Sequence, residues 1–108
     1  MTKHGINLDT NAMNAFCSKW RINELFVFGS ILRDDFRPDS DIDFLADFEE
    51  VDEDEEWDLF DEMHMQEELE RLVGRKVDIV DRSAIEDCTN PFIKKEVLST
   101  AEPVHARR

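Results

Sequence analysis

A short apolar segment, Glu24-Leu25-Phe26-Val27-Phe28, runs into Gly29-Ser30, and after ten further residues Asp41-Ile42-Asp43 opens a second apolar segment that continues to Phe48. This arrangement constrains the chain more than any other feature. Side chains alternate across a strand, so Asp41 and Asp43 share one face while Ile42 and Phe44 face the opposite way, into a core. Gly29 removes a Cβ where the first strand must turn, and Ser30 with the amides after it can begin a helix whose N-terminus holds anionic oxygens.

The rest of the chain supplies a frame for these two strands. Leu8, Ala12, Met13, Phe16, Cys17 and Trp20 recur at helical spacing, with Asp9 or Thr10 able to cap the first turn. Trp57, Leu59, Phe60, Met63, Leu69, Leu72 and Val73 predict a helix from about residue 55 to Val73, ended by Gly74. A third strand follows over Lys76-Val77-Asp78-Ile79-Val80-Asp81. A last helix starts at Pro91 and runs towards Ser99, with Phe92, Ile93, Val97 and Leu98 as its apolar members. The tail from Ala101 to Arg108 carries little pattern. The order predicts an α/β (α+β) fold, a small mixed sheet flanked by helices, as a single domain over residues 1–108.

Composition narrows the function classes. The chain is 41% hydrophobic with 8 Phe, enough to bury a core. A net charge of -14 opposes general binding to nucleic acid or to an anionic membrane, and favours a basic protein partner. No apolar run approaches the ~20 residues of a membrane helix, and the start lacks a signal peptide's apolar stretch, so a cytoplasmic setting is expected. Cys17 and Cys88 lie too far from other thiols or histidines for a zinc set. The acidic run at residues 49–56 is expected to be a solvated loop or helix start and not a site, and His4, His64 and His105 surface residues. The Phe and Trp residues are expected in the core. Asp39, Asp41, Asp43 and Glu50 match part of a calcium-loop pattern, but Phe44 stands where that loop requires glycine.

A third carboxylate, Asp78, lies between Val77 and Ile79 on the third strand and would meet the Asp41/Asp43 pair if that strand lies beside the second. Like charges held together call for a hard cation between them, and oxygen ligands suit magnesium. Three carboxylates about two Mg2+ ions describe a site for in-line displacement at the α-phosphate of a nucleotide, with Asp78 as the third ligand and the base. Arg33, shortly after Ser30, is a candidate fork for triphosphate oxygens.

Gly29, Ser30, Asp41, Asp43 and Asp78 together resemble the motif of minimal nucleotidyltransferases of the DNA polymerase β superfamily, over about Leu25 to Val80. The resemblance implies a nucleotidyltransferase fold. It also implies an antitoxin that uses ATP to place AMP on a hydroxyl, typically of tyrosine, in a HEPN-domain ribonuclease toxin. One residue departs from the relatives' pattern: Asp34 follows Arg33 where they commonly have glycine, an extra acid near the triphosphate. Two other readings share the motif. One is an antitoxin that neutralises by binding alone. The other is an aminoglycoside-type small-molecule nucleotidyltransferase, for which the chain is short of a substrate-holding domain.

Overall fold

The computed structural model describes residues 2–3, 6–8, 11–34, 36–37, 39–50 and 57–106. A short antiparallel pair, β1 (Thr2–Lys3) and β2 (Ile6–Asn7), leads into helix α1 (Asn11–Lys19). Met13, Phe16 and Cys17 form the buried stripe of α1. The expected caps at Asp9 and Thr10 lie outside the described residues. Arg21, at φ 56, turns the chain out of the helix into β3 (Ile22–Phe28). β3 begins two residues earlier than its apolar run suggests. Ile22 and Leu25 are both buried despite their odd spacing, because the register with the next strand slips between Ile22 and Glu24.

A 3-10 turn (Gly29–Leu32) follows, then β4 (Ile42–Phe48), helix α2 (Leu59–Val73) and β5 (Val77–Asp81). Asp58 caps α2 in a reciprocal box with Asp61, and Gly74 closes its other end in the left-handed conformation at φ 74. Two short helices, α3 (Arg82–Glu86) and α4 (Pro91–Thr100), precede a last strand, β6 (Glu102–Ala106). The four longer strands form one sheet in the order β5-β4-β3-β6. β4 and β5 are parallel, with α2 as the crossover that such a pair needs, and the other neighbours are antiparallel. The mixed sheet matches expectation, and the tail adds an edge strand to it, β6, where the sequence carries little pattern.

The main core joins α1, α2 and one sheet face. Phe16, Ile22, Leu25, Val27, Ile42, Phe44 and Leu69 are all buried there. Each large apolar side chain removed from water contributes roughly 1.5–3 kcal/mol before conformational entropy is set against it. Trp20 meets Trp57 edge to face with centroids 5.2 Å apart, and its indole N–H donates to Glu68 at 2.8 Å. On the opposite face Leu45 is buried, where α3 packs on β4 and β5.

Several aromatic and apolar expectations are corrected. Phe60 and Phe92 are 72% and 83% exposed, and Leu59, Met63, Leu72 and Ile93 are also exposed. Met65 and Leu69, not those residues, seat α2 against the core, and Val97 alone on α4 is buried. His64 is exposed as expected, whereas His105 is half-buried, its Nδ1 2.8 Å from Asn14 Oδ1, linking β6 to α1. His4 and residues 51–56 of the acidic run lie outside the described residues. Among the described residues no helix is long and apolar enough to cross a membrane.

Candidate active site

The sheet gathers the motif residues at one end of β4. Phe28, the last residue of β3, pairs with Asp43, and Asp43 in turn pairs with Asp78 across the parallel β4–β5 ladder. The third strand thus lies where the carboxylate argument needs it. Ile42 and Phe44 are fully buried, so Asp43 is turned to the other face. Asp41, just before β4, is exposed, as are Asp78 and Arg33; Asp43 is half-buried.

Gly29 meets two separate demands. Its φ of +74 lies in the left-handed region, and a Cβ there would stand 2.5 Å from Asp43 Oδ2. Only a residue without a side chain both makes this turn and leaves room for the carboxylate. The turn is a four-residue 3-10 segment and not the start of an α-helix, so the expected helix-terminus grip is reduced to the amides of one tight turn. Ser30 lies in that turn, and its side chain is outside the described atoms.

Burial raises the Asp43 carboxyl above its ordinary value, and the charges of Asp78 and Asp41 raise it further, while Arg33 opposes them. Asp43 is thus the point on which the charges of Asp78, Asp41 and Arg33 all act. Among the described residues no three histidine, cysteine or acidic side chains close round a common point as a ready-made ion cage. The donor set nevertheless fits a hard cation. It is all oxygen, carried at the ends of neighbouring strands, and like-charged, so that a positive ion would offset the repulsion.

The loop between turn and carboxylates is itself braced. Ser40 N–H donates to the Arg37 carbonyl at 3.0 Å, and Arg37 N–H donates to Ser40 Oγ at 3.2 Å. Arg75, which no motif singles out, donates from Nη2 to the carbonyls of Arg37 at 2.7 Å and Ser40 at 2.6 Å. Its guanidinium also lies 4.8 Å from the Phe36 ring centroid. Sequence pattern gives no sign of this, because the contact joins positions 38 and 35 residues apart.

Residues 10–102 match the nucleotidyltransferase domain family. The chain is 34% identical over 80 residues to the protein adenylyltransferase MntA of Thermococcus cleftensis, covering 74% of this chain and 76% of that protein. A solved toxin–antitoxin structure with AMP-PNP superposes with a TM-score of 0.64 at 15% identity, over 91% of this chain and 73% of the other. A Shewanella oneidensis complex of a tri-AMPylated HEPN toxin with its MNT antitoxin gives a TM-score of 0.56 at 15% identity, over 89% and 68%. At that identity the two structures speak for the fold.

Proposed function

The chain belongs to the nucleotidyltransferase domain family, and from that premise we propose that it is an antitoxin enzyme, acting as one minimal domain over residues 1–108. In this reading it transfers AMP from ATP to a hydroxyl, a tyrosine by preference, on a HEPN-domain toxin. The observation that carries the reading is the Gly29–Asp43–Asp78 arrangement, with Asp43 paired to Asp78 and its carboxylate lying against the bare backbone of Gly29. The similarity to a protein adenylyltransferase supports the chemistry, and the HEPN complex supports the class of partner.

In this reading the amides of the Gly29–Leu32 turn and the Arg33 guanidinium receive the triphosphate, and Gly29 and Ser30 let it approach the backbone. Asp41, Asp43 and Asp78 would hold magnesium. When bound, Mg2+ supplies positive charge that offsets charge developing on the phosphate oxygens. Asp78, the exposed member of the β4–β5 pair, accepts the proton of the attacking hydroxyl. That oxygen bonds to the α-phosphorus as the bond from phosphorus to the α–β bridging oxygen breaks, and pyrophosphate leaves. A cytoplasmic setting supplies both ATP and magnesium.

The test is incubation with labelled ATP and magnesium, with and without the protein encoded by the neighbouring gene, read by intact mass. One or more AMP masses are expected on the neighbour, lost with chelator and in the Asp41→Ala/Asp43→Ala double variant. Labelling that survives the double variant would sink the assignment. A second reading, neutralisation by binding alone, is favoured by Asp34 beside Arg33 and by the exposed apolar side chains of α2 and α4. A stable complex with no mass gain would establish it instead.

A further inference from the structure

We infer that Arg75 is a positioning residue, which sets Asp41 against Asp78 by holding the loop that ends at Ser40. Residues 74–78 act on the Asp41 backbone from both sides. Arg75 grips the Ser40 carbonyl, part of the peptide unit that joins Ser40 to Asp41, and the Lys76 backbone carbonyl accepts from the Ile42 N–H at 3.0 Å. Two residues further on, the same segment carries Asp78. The spacing between the first and third carboxylates is therefore set by one short stretch of backbone and one side chain.

An arginine beside a helix C-terminus ordinarily serves the last carbonyls of its own helix. Here Arg75 Nη2 reaches the loop carbonyls instead. The Gly74 N–H donates to Glu70 O at 2.8 Å, and Glu70 Oε2 accepts from the Val77 N–H at 3.1 Å. Gly74, at φ 74, turns the chain at that point, and Arg75 spends its donors on the loop. The flat guanidinium also covers the Phe36 ring, which packs against the core, so the loop is tied to the domain at Phe36, Arg37 and Ser40. Exposed carboxylates on a loose loop would be ordered only on meeting substrate; this tether orders the first of them beforehand.

The experiment compares wild type, Arg75→Met and Arg75→Lys. In Arg75→Met the Arg37, Ser40 and Ile42 amides should exchange with deuterium at least about tenfold faster, while the sheet amides of Leu25 and Phe44 stay unchanged. Its kcat for AMP transfer should fall about tenfold or more with KM for ATP moving less than about threefold, since misplacement by a fraction of an ångström acts on the reacting geometry. Arg75→Lys should lie between the two in both readouts. Unchanged loop exchange overturns the inference, and so does a loosened loop with unaltered kcat. Loss of protection throughout the sheet, with Arg75→Lys no better than Arg75→Met, overturns it in favour of a purely structural role. The transfer readout rests on the function proposed above. If the wild type transfers no AMP, that function fails, and manganese affinity read by electron paramagnetic resonance decides the positioning. A drop of at least about fivefold in Arg75→Met supports it, and an equal affinity overturns it.

Discussion

Gly29 concentrates the local chemistry, because conformation and space make the same demand on one residue. A methyl group there would have to share room with Asp43 Oδ2, and the φ of +74 would add strain of its own. Gly29→Ala should cost about 1–2 kcal/mol of stability from the backbone alone and should also displace the Asp43 carboxylate. Urea unfolding and AMP transfer measured on the same sample check this. Transfer should fall by far more than the lost stability explains, and a variant with wild-type transfer would show that the cradle is unimportant. At this scale the juxtaposition of Gly29, Asp43 and Asp78 in the candidate site is legible in the sequence, since residue type and spacing place them at neighbouring strand ends. Arg75 was illegible because a donor that reaches carbonyls leaves no mark on the residues it serves.

At the scale of elements, α1 and α2 are joined through one carboxylate. Glu68 Oε2 accepts from the Trp20 indole at 2.8 Å and pairs with Lys19 Nζ at 3.0 Å. Burial raises the Glu68 carboxyl, but the hydrogen bonds from Trp20 and Lys19 and the charges of Lys19 and Arg71 together outweigh it and hold the group below its ordinary 4.5. A depressed acid contributes stability that is present above the unfolded value and is lost as pH falls through the folded one. Glu68→Gln should therefore lower Tm by a few degrees at pH 7, and the gap from wild type should close as pH drops below about 4.5. A gap of equal size at pH 3 would mean that packing, and not the charged acceptor, is at work. The helix ends here were readable in advance: Gly74 as a cap and Pro91 as a first residue both fall where their chemistry predicts. β6 was not, for a physical reason. Glu102-Pro103-Val104-His105-Ala106 has no clean alternation, and its proline is tolerated because the strand lies at the sheet edge, beside a register slip in β3. Likewise helical spacing cannot tell which apolar face of α2 will meet the core, and the choice fell on Met65 and Leu69 because those are the positions turned toward the sheet.

Over the whole molecule, a net charge of -14 and apolar side chains left exposed on α2 and α4 bear on how the chain meets a partner. Charge of one sign steers an oppositely charged protein to it at a rate that salt suppresses, whereas bond exchange between groups already held in contact within the complex responds to salt far less. An enzyme also releases its product and acts again, while a cover must match its target one for one. With ATP and magnesium, one chain to about ten toxin molecules should therefore modify and silence the whole population, and the Asp41→Ala/Asp43→Ala variant should fail at that ratio. Raising salt from about 0.05 M to about 0.5 M should increase KM for the toxin and leave kcat within about twofold, because screening acts on the encounter. Toxin activity and intact mass followed together through the titration decide the matter. Neutralisation that needs equal amounts and ignores ATP would mean that this acidic surface is itself the inhibitor, and that the carboxylate cluster is a retained piece of the fold and not its working part.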